Sequence, residues 1–145
     1  MTQNHETDVR ACLDCLCLAS RRASRAITRA FDRQLRPHGI RATQFSVLTM
    51  LMGYGPTTIG DLAEALGIER TTLTRNLTVL EDSGWVKIGV GPTDGRLRVV
   101  TATPKGRKAV SAAMPAWRRA QAAASTAIGP SGHAALHALS GTALG

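Results

Sequence analysis

Two short amphipathic segments separated by a tight turn limit the folds open to this chain. Apolar residues recur at helical spacing over 59–66 and again over 69–82, which predicts two short helices. Gly67, within the turn "LGIE" (66–69), favours a left-handed C-cap for the first helix, and Gly84 ends the second. The order helix, tight turn, helix is that of a helix-turn-helix.

A β-hairpin is predicted directly after the second helix. The segments "WVKIGV" (85–90) and "RLRVVTA" (96–102) are rich in β-branched residues, and the turn-forming loop "GPTDG" (91–95) joins them. Thr58 precedes the first helix and Asp61 follows three residues later, as in a capping box. The expected fold class is therefore mainly α with a small β-hairpin wing, a winged helix-turn-helix.

Long helical segments flank this unit on both sides. Residues 8–36 contain neither glycine nor proline and are predicted to form one helix, followed by a second over about 43–52. An alanine-rich helix is expected over 105–127, kinked or broken at Pro115, and a short helix over 131–140 follows "GPSG". The apolar faces of these helices exceed what one winged lobe could cover, which favours association of two chains.

The charge balance points to a polyanionic partner. The 145 residues contain 18 Lys+Arg and 10 Asp+Glu, a formal net charge of +8, which favours nucleic acid or an anionic membrane surface. No segment reaches the roughly 20 apolar residues that span a bilayer, and residues 1–10 lack the apolar run of a secretory signal. We therefore expect a cytoplasmic protein with no membrane partner.

The exposed face of the second helix carries short hydroxyls and arginines. Threonine is a poor helix former, so three threonines within the four positions 71–74 lower the helix propensity of this segment. Residues that lower local stability in this way favour a functional explanation. A threonine hydroxyl can reach a base edge or a phosphate, its methyl can meet a thymine methyl, and Arg75 can fork onto guanine. These properties predict a helix that enters the DNA major groove. A solvated face without a partner is the alternative.

The candidate DNA-binding residues follow from this placement. The N-terminal part of such a helix makes most base contacts, and an arginine at the tip of a wing suits a minor groove. Asp94 and Arg98 straddle Arg96, and we expect an ion pair between them to set the pose of the loop. The candidates are Thr71, Thr72, Thr74 and Arg75 for base contacts, and Thr58, Arg70, Asn76, Arg96 and Arg98 for the surrounding contacts.

The sequence resembles the MarR family of transcriptional regulators. The resemblance rests on "TTIGDLAEALGIERTTLTRNLTVLEDSGWV" (57–86) and "DGRLRVVTATPKGR" (94–107), with Ala102 where the family usually has leucine. It implies a homodimer that binds an inverted-repeat DNA operator, with half-sites about one helical turn apart. It also implies repression that a small molecule relieves by binding between the dimer layer and the winged domain. The domain organisation it implies is a winged domain at 41–103 and a helical dimerisation region at 8–40 and 104–143.

The crowded cysteines Cys12, Cys15 and Cys17 have three open interpretations. The first is a metal site. On one continuous helix Cys17 would lie about 200° round from Cys15, so His5 or a partner chain would have to supply a ligand. A metal site is therefore disfavoured.

Thiol sensing at Cys17 is the second interpretation. The stretch beginning at Cys17 resembles the start of the organic-hydroperoxide-sensing branch of the family, and Arg21, one turn on, would favour a thiolate. That branch sets tyrosine hydroxyls against its cysteine, whereas this chain has Arg21, Phe31 and Ala42 there. In the third interpretation, Cys15 or Cys17 is a small buried hydrophobe at the dimer interface or beside a ligand cleft.

An effector site is expected near Arg21, Arg25 and Phe45. A basic lining suits an aromatic carboxylate, a phenolic acid or an acyl-coenzyme A. The same arginines could instead follow the DNA backbone or solvate the dimer. No cofactor is predicted.

Other classes of protein fit the sequence less well. An enzyme is not expected, because no phosphate-binding glycine loop, Ser-His-Asp set or carboxylate pair stands out. His133 and His137 are four residues apart on the last predicted helix and could ligate a metal, but no acidic residue or cysteine is near them in sequence, so no metal site is predicted. A non-specific architectural DNA-binding protein, which would use the charge without reading bases, is the main rival to a specific regulator.

Overall fold

The computed structural model describes residues 8–141, which form helices around one small sheet. No helix in this range is long and apolar enough to cross a membrane. Short 3₁₀ turns lie at Cys12–Asp14 and Arg36–His38. The elements in chain order are α1 (Asp8–Ala11), α2 (Leu16–Leu35), α3 (Ala42–Tyr54), β1 (Thr57–Thr58), α4 (Ile59–Leu66), α5 (Arg70–Asp82), β2 (Val86–Val90), β3 (Arg98–Ala102) and α6 (Pro104–Ser140).

The predicted winged helix-turn-helix is formed by α4, α5 and a three-stranded antiparallel sheet. The strands lie in the order β1-β3-β2, with Val86 opposite Ala102 and Ile88 opposite Val100. β1 pairs Thr57 with Val100, a pairing that sequence periodicity does not reveal because a strand of two residues is too short to show a period. The predicted fold class is confirmed.

Local signals fix both ends of α4. The Thr58 hydroxyl oxygen accepts a hydrogen bond from the Asp61 N–H at 3.1 Å, while the return bond of a full capping box is not formed within the described residues. Gly67 adopts φ 65° and ψ 34°, and the next N–H, that of Ile68, donates to the Ala63 carbonyl at 3.0 Å. The turn between the two helices is therefore set by α4's own C-cap.

Replacing Thr58 with alanine is expected to lower the free energy of unfolding by about 1 kcal/mol, because one N–H in the first turn of α4 loses its acceptor. Urea unfolding without DNA measures this. Thr43→Ala is the control, since Thr43 is exposed on α3 and should change stability by no more than about 0.5 kcal/mol. Equal losses in both variants would contradict the capping role.

One continuous aliphatic core joins the winged unit to the flanking helices, and packing against it fixes the orientation of α5. Every element from the end of α2 to the middle of α6, apart from β1 and the 3₁₀ turn at Arg36–His38, contributes buried residues. The largest fully buried side chains are Leu35, Ile40, Leu48, Leu51, Leu62, Leu73, Leu77, Leu80, Val47 and Val100.

The prediction of a single helix over 8–36 is wrong. The backbone is extended at Cys15 (φ −71°, ψ 124°), between the 3₁₀ turn and α2. Leu13 is 75% and Leu16 86% exposed, so no buried face supports a helix here. Helices take most of their stability from such packing, and the absence of glycine and proline is therefore not sufficient.

The last helix breaks at Gly129 and continues through Pro115, so the predicted alternative of a break at Pro115 is wrong. Gly129 has φ 70° and ψ 174°, and is the one residue within Pro104–Ser140 with a non-helical backbone. Pro115 and Ser111 are both exposed, so the Ser111 carbonyl that loses its donor lies on the side open to water. The expected break near "GPSG" is confirmed, and Pro130 begins the final segment as a first-turn proline.

Candidate nucleic-acid interface

α5 presents an exposed polar face because its opposite face is locked into the core. Leu73, Leu77 and Leu80 are each 0% exposed. With about 100° per residue, the direction opposite these leucines is occupied by the exposed pair Thr71 and Arg75, and by Asp82 in the last turn. The helix is therefore held in one rotational setting, with this pair at the centre of its outer face.

The threonine hydroxyls of α5 fall into two chemical groups. Thr74 Oγ1 donates to the Arg70 carbonyl at 2.8 Å, and Thr78 Oγ1 donates to the Thr74 carbonyl at 3.1 Å. Each of these oxygens can still accept a hydrogen bond, but its proton is engaged. Thr71 and Thr72 have no side-chain hydrogen bond within residues 8–141, so their hydroxyls can both donate and accept.

The other α5 candidates lie around this centre. The Arg70 guanidinium carbon is 4.0 Å from where a Cβ would stand on Gly60, so this side chain lies beside the first turn of α4. Asn76 is half-buried, on the flank of the helix, and Thr58 is half-buried as the cap of α4. Arg70 and Thr58 are thus associated with the N-terminus of α4, where backbone N–H groups favour an anion.

The tip of the wing projects Arg96 into solvent. Its side chain is 93% exposed, and Asp94 Oδ1 accepts hydrogen bonds from the Arg96 N–H at 3.0 Å and from its Nε at 3.4 Å. The expected partner of Asp94 was Arg98, and that prediction is wrong. The loop turns so that Arg96, two residues on, meets the carboxylate, while Arg98 is exposed at the start of β3. Asp94 still holds the loop, through the arginine itself.

Glu81 connects α5 to the wing and is not among the residues predicted from the sequence. Its Oε2 accepts the Ile88 backbone N–H at 3.1 Å, on the strand β2 that carries the chain toward the tip. The signal was present in the "L-E-x-x-G" pattern at the end of α5. From the sequence alone, a glutamate at this position looks like an ordinary exposed helix residue. Its contact with β2 becomes apparent only in the folded structure.

The structure separates the residues expected near an effector. Phe45 is 4% exposed and stacks on Trp117 with ring centroids 6.2 Å apart. Both line a recess of about 210 Å³ between α2, α3 and α6. Arg21 and Arg25 line a different, open groove beside the end of α6. The full lining of the recess is Ile27, Thr28, Phe31, Leu35, Ala42, Phe45, Ser46 and Trp117, none of them charged.

The N-terminal cysteines are exposed rather than buried. Cys12, Cys15 and Cys17 are all open to solvent in the single chain, so the prediction of a buried hydrophobe would need a second chain to cover them. The angular argument against a shared metal does not apply, since the helix is broken at Cys15. Still, no three of His, Cys, Asp or Glu gather into a metal-binding group in the range 8–141. His5 lies outside the described residues, as do positions 142 and 143 of the predicted dimerisation region.

Comparison with known proteins identifies the family. The sequence model of the MarR family matches residues 38–97, the helix-turn-helix and most of the wing. The M. tuberculosis transcriptional regulator MosR, in a crystal structure with DNA, is 40% identical with a TM-score of 0.78, covering 87% of this chain and 93% of that chain. Overoxidized AbfR bound to DNA is 28% identical with a TM-score of 0.68, covering 79% and 84%.

A relative from Bacillus subtilis (strain 168) also matches this chain. The uncharacterized HTH-type transcriptional regulator YwoH is 36% identical over 81 residues, which are 56% of this chain and 58% of YwoH. The chain thus matches little more than half of that relative's length. With the family match across the winged unit and a 40% identical regulator covered almost end to end, the chain belongs to the MarR family of transcriptional regulators.

Proposed function

We propose that this chain is a homodimeric regulator that reads an inverted-repeat DNA operator as a repressor and releases it when a small aromatic molecule binds. The observation that carries the proposal is the outer face of α5. A buried leucine row fixes the helix, and Thr71, Thr72 and Arg75 stand exposed on it with no competing side-chain partner within the described chain. Such a face suits a major groove.

Each α5 side chain has a definable role in this proposal. Arg75 forks onto guanine O6 and N7, and Thr71 and Thr72 donate to base edges or phosphate. Thr74, whose proton is engaged by the Arg70 carbonyl, acts through its acceptor oxygen or its methyl, so it favours cytosine or adenine amino groups or a thymine methyl. Five further residues contact the backbone or the minor groove: Thr58, Arg70, Asn76, Arg96 and Arg98.

The homodimer is supported by apolar side chains left exposed at the two ends of the described chain. Six of the ten large hydrophobic side chains that are exposed in the described chain lie there, which favours a surface that a partner covers. Pairing through the helical regions 8–40 and 104–143 would bury them and present two α5 helices to half-sites about 34–36 Å apart. The exposed fractions are Val9 66%, Leu13 75%, Leu16 86%, Leu18 41%, Leu136 43% and Leu139 55%.

The recess between α2, α3 and α6 is the proposed effector site. Its lining combines Phe45 and Trp117 with the hydroxyls of Thr28 and Ser46, which suits a small planar ring bearing one or two polar atoms. The sequence predicts an anionic ligand held by arginines, but no arginine lines this recess. An uncharged aromatic molecule is therefore favoured over an aromatic carboxylate.

Thiol control through Cys17 is the second candidate function. Cys17 is exposed near the start of α2. AbfR, 28% identical to this chain, was solved bound to DNA in both its reduced and its overoxidized form, so release by oxidant is a property that this chain's own cysteine would have to supply. Oxidant should release DNA from the parent protein and leave the Cys17→Ser variant bound. If both proteins respond alike, Cys17 is not the sensor.

Selection from a random duplex library tests the proposed function. Enrichment of an inverted repeat by the purified protein, followed by a footprint of that repeat upstream of a gene, supports a specific dimeric regulator. Binding to all duplexes within a few-fold, with salt alone setting the affinity, would identify an architectural protein instead. Sedimentation of the free protein and of the complex gives the number of chains per site.

Replacing Arg96 with alanine is expected to weaken cognate and unrelated DNA alike and to reduce the salt slope of binding by about one, since one phosphate-neutralising charge is lost. Titration of both duplexes across a salt series measures this. Arg33→Ala, an equal charge change on the exposed side of α2, should leave the slope unchanged. A slope that does not differ between the two variants would contradict a wing contact.

A further inference from the structure

The final segment of α6 carries two histidines whose rings lie together. His133 and His137 are one helical turn apart, their ring centroids are 4.4 Å apart, and their planes are inclined by 48°. Both residues are exposed, and neither ring hydrogen-bonds to any other residue of the described chain. Two imidazoles spaced four residues apart on a helix can present nitrogens to one ion.

The surroundings of the pair suit a cation. The rings border a small recess of about 150 Å³, whose other polar side chains are Gln121 and Ser125. No lysine or arginine lines it, although the chain as a whole has a net charge of +8. The amide and hydroxyl oxygens add two neutral donors to the two imidazoles. The remaining lining is apolar: Ile27, Phe31, Ala124, Ile128 and Leu136.

The break at Gly129 creates this arrangement. In an uninterrupted helix, His133 would lie about 18 Å along the axis from Gln121, because twelve residues rise about 1.5 Å each. The non-helical backbone of Gly129 (φ 70°, ψ 174°) instead turns the final segment back, so that residues from both sides of the break line one recess. The fold thus brings together polar groups that the linear sequence keeps apart.

We propose that His133 and His137 bind one divalent first-row transition metal ion, of the Zn²⁺ or Ni²⁺ type, in this recess. Imidazole is a preferred ligand of these ions, with metal–nitrogen bonds of about 2.0–2.1 Å for zinc. Gln121 and Ser125, which line the same recess, offer an amide oxygen and a hydroxyl as further ligands beside water. With two imidazoles as its strong ligands, the site should bind the ion with moderate affinity.

Metal binding at this position would fasten the final segment of α6 to the part of α6 before Gly129, which carries Gln121 and Ser125. Ile27 and Phe31 of α2 line both the histidine recess and the proposed effector recess. An ion that holds the final segment in place therefore keeps it packed against the two residues that the recesses share. The metal proposal itself does not depend on any effector, since it rests on the histidines alone.

The test is a Zn²⁺ titration of the full chain, without an affinity tag, in a background with Cys12, Cys15 and Cys17 all changed to serine. Calorimetry should show saturable binding of no more than one ion per chain. His133→Gln and His137→Gln should each weaken it at least about tenfold, since loss of residues that merely orient a ligand already costs about 10- to 100-fold. His5→Gln and His38→Gln are the matched controls and should bind as the background does.

Two further readouts separate a site from a general loss of structure. Zinc should shift the ring-proton NMR signals of His133 and His137 and not that of His38, and should raise the melting temperature of the background protein but of neither glutamine variant. Equal zinc affinity in the background and both glutamine variants would overturn the proposal. So would zinc binding that disappears with the cysteines, because the metal would then belong to the thiols.

Discussion

Replacing Gly106 with alanine is expected to lower the free energy of unfolding by about 3 kcal/mol, the upper part of the range for overpacking a core. Gly106 is buried in the first turn of α6. A Cβ at this position would overlap the backbone carbonyl of Trp85 and come within 3.2 Å of Leu48 Cδ2. Because the first obstacle is backbone, it cannot rotate away as a side chain could.

The junction around Gly106 leaves little room for relaxation. The Thr103 N–H donates to the Trp85 carbonyl at 3.0 Å, and the Thr103 hydroxyl donates to the Gly84 carbonyl at 2.6 Å. The same hydroxyl oxygen accepts the Gly106 N–H at 3.1 Å. Moving α6 away from Trp85 would strain these bonds, which join the end of α5 and the start of β2 to the long helix.

Urea unfolding followed by circular dichroism measures the effect, and Gly53→Ala is the control. Gly53 is exposed within α3 and a Cβ there would meet nothing within 4 Å, so alanine should be neutral or stabilise by up to about 1 kcal/mol. The same chemical change thus has opposite expected signs at the two sites. A Gly106→Ala protein as stable as the parent would show that the junction can open.

The winged unit could be predicted from sequence because its signals are local. Thr58, Gly67 and Gly84 mark helix ends by their own backbone and side-chain chemistry, and the leucines of α5 show its buried face directly. Such signals need no knowledge of distant residues. The bounds of α4 agree with the prediction, and α5 begins one residue later than expected.

The remaining errors all depend on tertiary context. The broken helix at Cys15 reflects the lack of a packing surface in the single chain, which the residue types alone do not reveal. The way the loop turns determines that Asp94 pairs with Arg96. The way α2 faces α3 determines that Arg21 lies away from Phe45. Trp117 enters the recess from α6, more than seventy residues along the chain from Phe45. Contacts of that kind cannot be obtained from periodicity.

The central prediction for DNA recognition concerns Arg75, whose replacement by alanine should cost about 1–3 kcal/mol on the cognate operator. On unrelated duplexes the loss should be much smaller, because only the loss of one charge remains. Arg75 is exposed on a helix that the buried leucine row fixes, so the variant should unfold at the same urea concentration as the parent.

Arg75→Lys separates base reading from charge. Lysine keeps the positive charge and the salt slope but lacks the planar fork that contacts two guanine acceptors at once. If Arg75 reads a base, the lysine variant should lose nearly as much cognate affinity as the alanine variant. Its affinity for unrelated DNA should equal that of the parent protein. If it touches only phosphate, lysine should restore binding on every duplex. If lysine restores cognate affinity, the residues that read the sequence would therefore be Thr71, Thr72 and Thr74. Arg75 would then contribute only electrostatic attraction to the phosphates.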